Sequence, residues 1–233
     1  MQRRAVDREV IVAGLSLGAA VGVFGIAFGV GAVAAGGSVA QACVMSLLVF
    51  TGASQFSAVS VAAAGGTTGA ALGGAMLLAA RNGVYGLAVS RIIRGSLAER
   101  LLAAHWTIDE TTAMATAQSD PRARRHAFWI TGVAVYSFWN VGTLIGALAG
   151  SAIDPLTYGL DAAFPAGFVA MVAPQLRRPP GLLAGALGAL ICLVLIPFTP
   201  VGVPILCSAA AILVGIPARD MHVETVPGTA GVP

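Results

Sequence analysis

Arg81 sits at the middle of an apolar run covering residues 69–93. As one helix, that run places the guanidinium about 18 Å from either end at 1.5 Å of rise per residue. A charge at that depth in a bilayer costs about 2.5–3.5 kcal/mol on insertion scales and is kept where a partner in the bundle interior answers it. The planar fork of arginine matches a carboxylate. Two readings follow: Arg81 holds the carboxylate of a solute, or it pairs structurally with Asp161 or with carbonyls freed at a helix break. Asn82 and Tyr85, adjacent and one turn on, set neutral polar groups beside it.

Two further apolar stretches are interrupted. In LLVFTGASQFSAVSV, residues 47–61, the midpoint carries Thr51, Gly52, Ser54 and Gln55. Glycine supplies flexibility, the hydroxyls can bond loose carbonyls, and the Gln55 amide both donates and accepts. Irregular backbone at membrane depth is tolerated only inside protein or beside a wet cavity, so these residues either line a binding site or glue helices together. In LDAAFPAGF, residues 160–168, Pro165 has no amide hydrogen for the carbonyl of Asp161 four residues back, and Phe164 precedes it. Asp161 then either binds a substrate ammonium and exchanges it for a proton, which makes it the coupling residue, or is an interfacial acid near the start of its helix. Asp109 and Glu110, in TIDE at 107–110, are either gating acids or, for Glu110, the far end of a capping box.

The elements that hold these residues are membrane helices. Of 233 residues 57% are hydrophobic and 10% charged, with a mean hydropathy of +0.87, against roughly 25% charged in soluble domains. All 13 basic residues are arginine, and apart from Arg81 they flank the apolar runs. That pattern is loop charge and not a nucleic-acid surface. Runs of the roughly 20 residues needed to span a bilayer occur at 10–35, 39–64, 69–93, 128–151, 158–176, 181–198 and 200–217. The fold class expected is therefore all-α, a polytopic membrane protein of about seven segments.

Its organisation reads as an N-terminal polar segment at 1–9, a first membrane repeat at 10–93, a polar loop with short helices at 94–127, a second repeat at 128–198, a final helix at 199–217 and a tail at 218–233. Each half reads helix, broken helix, helix. Three crossings per half imply inverted repeats, the plan of many secondary transporters, with discontinuous helices at the site. The arginines of 94–127, Arg177 and Arg178 place those loops in the cytoplasm. Seven simple spans then strand Arg3, Arg4 and Arg8 outside, unless the long first run is itself broken or re-entrant.

Several classes are excluded or left without support. The P-loop pattern G-x-x-x-x-G-K-S/T is absent, so ATP hydrolysis is not expected. Cys43, Cys192 and Cys207 lie in apolar segments without C-x-x-C spacing and read as packing residues. His105, His126 and His222 stand in polar flanks and read as solvated. No nucleophile–base pair or metal cluster is visible, so the expectation is a non-enzyme with no cofactor and no metal. The N-terminus mixes acids into its basic region and leads into too long an apolar run for a cleaved signal.

FGIAFG (24–29), SLLVFTGASQF (46–56), Arg81 with Tyr85 and Gly86, Asp109 with Glu110, the series Trp139, Gly142, Thr143, Gly146, and LDAAFPAGF (160–168) together resemble the AzlC family. The resemblance runs from about residue 14 to 217. It implies the large subunit of a bacterial branched-chain amino acid exporter in the cytoplasmic (inner) membrane. Leucine, isoleucine, valine and methionine are the implied substrates, the proton motive force the drive, and a small AzlD-type membrane subunit the partner. Two positions depart from the pattern: Ala79 stands where many members have Asn, with Asn82 just after the arginine instead, and Val23 stands where many have Pro. The site expected comprises Gly52, Ser54, Gln55, Arg81, Asn82, Tyr85, Asp161, Phe164 and Pro165, gated by Asp109 and Glu110. The competing expectation is a channel or transporter for another small polar or zwitterionic solute.

Overall fold

The structure, a computed structural model, describes residues 2–152 and 163–215. Among them all regular structure is helical: α1 (Gln2–Ala34), α2 (Val39–Val49), α3 (Ala53–Ala63), α4 (Thr68–Ser90), α5 (Leu97–His105), α6 (Asp109–Thr116), α7 (Pro121–Ala152), α8 (Ala163–Leu176), α9 (Pro179–Leu195), α10 (Val203–Ser208) and α11 (Ile212–Gly215), the last two joined by a 3-10 turn. Three stretches are long and apolar enough to cross a membrane, Arg8–Ala34 of α1, α4 and α7, among the described residues.

Glycine spacing explains how α1 and α7 pair. Gly14, Gly18, Gly22, Gly25 and Gly29 recur at three or four residues, so they lie on one face of α1. On α7, Gly142, Gly146 and Gly150 do the same. Glycine costs a helix about 1 kcal/mol per residue against alanine, and here the missing side chains let the two backbones touch. A Cβ on Gly25 would stand 2.6 Å from the Trp139 carbonyl oxygen, and one on Gly29, Gly142 or Gly146 would lie closer still to the backbone of the facing helix. Gly14 faces Ile130 and Thr131, Gly22 faces Phe138, and Gly29 faces Thr143 and Ala147. Residue numbers rise together along the seam, so α1 and α7 run parallel.

The helices between them explain that direction. Ser38 opens α2 through a capping box: its hydroxyl accepts from the Gln41 amide (3.2 Å) and its own amide donates to Gln41 Oε1 (2.8 Å). From there α2 runs antiparallel to α7, with the Ser46 hydroxyl 3.0 Å from that of Thr143 and the Phe50 ring 4.8 Å from Tyr136, seven residues earlier on α7. The chain then turns. Phe50 takes a left-handed conformation (φ 40°) and Gly52 has φ 57°, which only glycine adopts without strain. Past the turn α3 heads back: the Gln55 amide reaches the Met45 carbonyl at 3.1 Å, although ten residues of straight helix would separate them by about 15 Å. Phe56 meets Phe28 edge-on at 5.8 Å. Thus α2 and α3 form a hairpin of half-length helices with residues 50–52 at its tip.

Thr67 caps α4, accepting from the Ala70 amide at 3.2 Å, and α4 runs antiparallel to α7, bringing Val89 and Ile93 into a cluster with Phe128 of the α7 start. The first half therefore supplies two helices long enough to cross, α1 and α4. The sequence pattern predicts three crossings there, and the expectation of inverted halves rests on that odd number. The segment at 39–64 turns back instead, and the first helices of the two halves are parallel. The final segment also differs from one continuous span: α10, the 3-10 turn and α11 divide it, and Gly202 (φ 93°) before α10 sits against Ala70 at the start of α4.

Candidate functional site

The hairpin tip frees backbone groups, and side chains from distant parts of the chain satisfy them. The Leu47 carbonyl accepts from the Tyr136 hydroxyl at 3.1 Å and lies 3.0 Å from His105 Nε2. The Gly52 amide donates to Gln55 Oε1 at 3.2 Å, while Gln55 Nε2 takes the Met45 carbonyl. Gln55 is fully buried and Ser54, bonded to the Thr51 hydroxyl, nearly so. Both therefore shape the break from within, while Gly52 itself faces a cavity.

That cavity holds about 90 Å³, room for several waters. Its apolar wall comes from Val21 and Phe24 of α1, Phe50 of the tip, Ile108, and Val135 and Trp139 of α7. Trp139 is held by Phe28, stacked at 5.9 Å, and by Phe56, edge-on at 6.0 Å. Opposite this wall stand Thr51, Gly52 and Ala53, the start of α3, together with Arg81, Asp109 and Glu110. The first amides of α3 give that end a partial positive charge.

Among the described residues Arg81 pairs with Asp109. Both arms of the guanidinium, Nη1 and Nη2, lie 3.5 Å from the carboxylate oxygens, longer than the 2.7–2.9 Å typical of a tight charged fork. The two side chains are 34% and 45% exposed, so the pair is loosely held and accessible. Glu110 lies outside the three spanning helices. Its carboxyl is pushed up to about 7 from 4.5, first by burial and then by the neighbouring Asp109 charge, with Arg81 acting weakly against both.

TIDE does not cap α6 in the way its spacing suggests. The cap lies one residue later, where the Ile108 amide donates to Thr111 Oγ1 at 3.1 Å, and the Thr107 hydroxyl instead donates to the Ala103 carbonyl at 2.6 Å. Glu110 is thereby left without a capping role. Asn82 and Tyr85 are half-buried on α4 and do not line the cavity; the Asn82 Oδ1 has no partner among the described residues. Pro165, with Phe164 before it, stands in the first turn of α8, where a missing amide hydrogen is tolerated. Asp161 and His222 lie outside the described residues.

Sequence reasoning missed His105 and Tyr136. Read as solvated, His105 packs its ring 6.0 Å from Phe50 and 5.8 Å from Tyr136. A signal was present: YSFWN, residues 136–140, puts a phenol, an indole and an amide inside the apolar run of α7, where polar groups are expensive.

Every residue around the cavity falls between Val21 and Trp139. The family model described as AzlC protein matches residues 16–153, more than half of the chain and the whole of this site. The chain belongs to the AzlC family. It is 32% identical over 201 residues to the inner membrane protein YgaZ of Escherichia coli K12, covering 82% of this chain and 78% of that one. It is also similar to an uncharacterised membrane protein of Helicobacter pylori 26695, at 26% identity over 74% of this chain and 78% of the other, and to one of strain J99, at 25% over 67% and 69%. No solved structure matches the chain. With its apolar helices, this AzlC-family chain is an integral membrane protein, and the match spans the α1–α7 seam, the hairpin and the cavity together.

Proposed function

We propose that this chain is the large subunit of a secondary transporter that exports the branched-chain amino acids leucine, isoleucine and valine, with methionine as an unbranched further substrate, across the bacterial cytoplasmic membrane, driven by protons and assisted by a small AzlD-type subunit. The observation that carries the reading is the cavity. An aliphatic zwitterion needs an anion site, a cation site and an apolar pocket; Arg81, Asp109 with Glu110, and the wall from Phe24 to Trp139 supply the three. The Arg81–Asp109 pair mirrors the ligand's own charges. In this mechanism the substrate carboxylate takes the Arg81 fork and its ammonium takes Asp109, so the pair opens as the solute enters and no charge is left unanswered.

The membrane plan follows from the hairpin. With α1, α4 and α7 crossing and α2–α3 entering and leaving on the outer side, the N-terminal arginines and the 94–127 loop share the cytoplasmic side. Completing the plan, the segment ending in α8, then α9, then α10–α11 bring the crossings to six, with Arg177 and Arg178 also inside. In this reading Asp161 is a second acid for coupling, and Phe164 and Pro165 are the second half's contribution to substrate binding. Asp109 and Glu110 both bind and gate.

Counterflow of labelled leucine in proteoliposomes, with and without the small partner, tests this. Saturable exchange that Arg81→Lys weakens about tenfold or more in affinity is expected, since the charge stays and the bidentate fork goes. Unsaturable flux, or full exchange in Arg81→Lys, overturns it.

A further inference from the structure

We propose that a groove between the C-terminal end of α4 and the start of α7 holds the headgroup of an anionic phospholipid. The groove encloses about 530 Å³ and is lined by Val84, Leu87, Arg91 and Ile92 from the α4 end, Thr116 from α6 and Arg124 from α7.

The charges set the ligand's sign. Among the described residues the ion pairs are Arg81–Asp109 and Arg125–Glu99, so neither Arg91 nor Arg124 has a carboxylate partner. Arg124 engages only its Nε, on the Gln118 carbonyl at 2.7 Å. Asp120, the acid closest to it in sequence, is occupied at the head of α7, where its carboxylate accepts from the Ala123 amide at 2.9 Å. The groove therefore presents two guanidiniums to an anion, and guanidinium forks match phosphate oxygens.

Apolar surface decides what carries that anion. Val84 and Leu87 are 67% and 71% exposed, and they continue up the face of α4 toward the membrane middle, where Gly83 has nothing within 4 Å of its missing side chain. A free phosphate leaves that surface unused, whereas a phospholipid covers it with an acyl chain. The height is also right. Because Gly14 lies opposite Ile130 in the parallel seam, Arg8 and Arg124 stand level, and Arg8 marks where the apolar span of α1 begins. Basic pockets between helices at that boundary are where anionic headgroups bind.

Native mass spectrometry on the whole protein in mild detergent tests the site, with phosphatidylglycerol or phosphatidylcholine as the probe. One phosphatidylglycerol should be retained about tenfold or more tightly than phosphatidylcholine, and Arg91→Gln combined with Arg124→Gln should erase the preference while Arg122→Gln, off the groove, keeps it. Equal retention of the two lipids by the unaltered protein overturns the proposal, and that arm needs no variant to fold. Displacement of the lipid by millimolar inorganic phosphate also overturns it, in favour of a soluble anion. A preference that survives in the double variant places the lipid elsewhere.

Discussion

Glycine does opposite things on the two sides of this molecule. In the α1–α7 seam a Cβ on Gly25, Gly29, Gly142 or Gly146 would collide with the facing backbone, whereas on α4 Gly83 and Gly86 have nothing within 4 Å. The seam is closed and the same residue type is its closing device. The α4 side is open: Leu72, Met76, Val84 and Leu87 all face outward, and the charged residues of the cavity sit between the two regimes. A rigid pair of parallel helices carries the apolar wall, and a sparsely packed helix carries Arg81. That division suits a site in which one side must move relative to the other.

The comparison breaks most directly at the seam. Gly146→Leu drives a side chain into the Ile26 backbone and is expected to cost about 3 kcal/mol or more, read as loss of the monodisperse peak on size exclusion and of the thermal transition. A well-folded Gly146→Leu would mean the seam is not what holds the molecule. Next in size is Glu110, in the cavity between the two sides. Its raised value means the folded state keeps a proton that the unfolded chain releases between pH 4.5 and about 7. This contributes stability that is full below pH 4.5 and lost as pH rises through about 7. Thermal melts at pH 5 and pH 8 should therefore differ more in the unaltered protein than in Glu110→Gln, and exchange rates should lose their inflection near pH 7 in the variant. Identical pH profiles would show that the Glu110 carboxyl does not govern the response across this range.

A smaller effect belongs to the hairpin tip. Tyr136→Phe removes one donor from the Leu47 carbonyl while His105 remains, so about 1 kcal/mol is expected; faster hydrogen exchange at residues 50–54 should accompany it, and unchanged exchange would show that the latch does not hold the tip. Smallest is Gly83→Ala, which fills open space and should stabilise by up to about 1 kcal/mol through helix propensity. Destabilisation there would show that the open face of α4 is covered after all.

Much of this was legible in the sequence. The break at TGASQ and the place of Arg81 within an apolar run follow from residue types and spacing, because each violates the local apolar pattern. The direction of the chain after the break does not. Whether Phe50 and Gly52 bend a helix or reverse it depends on Tyr136 and His105, which lie 89 and 58 residues from the carbonyl they meet, and spacing along one segment cannot report such a contact. The same holds for the Arg81 partner: the acid that reaches it, Asp109, stands in the polar loop at 94–127, and α6 packs against α4 to deliver it. Reading the 39–64 segment as a crossing also leaves the N-terminal arginines outside, a conflict absent from the proposed membrane plan in which that segment is a hairpin.

The parallel seam joins helices made far apart in time. Gly14 and Ile130 are separated by 116 residues in the chain, so at about 5–20 residues per second of synthesis α1 stands in the bilayer for roughly 6–23 seconds before α7 emerges. Throughout that interval its glycine face is bare, able to take a lipid, the hairpin, or the α1 of a neighbouring nascent chain. Assembly of this protein is consequently a race between the ribosome and the wrong partner, and the five glycines that make the finished seam tight are the same ones that leave its first helix unprotected during biogenesis.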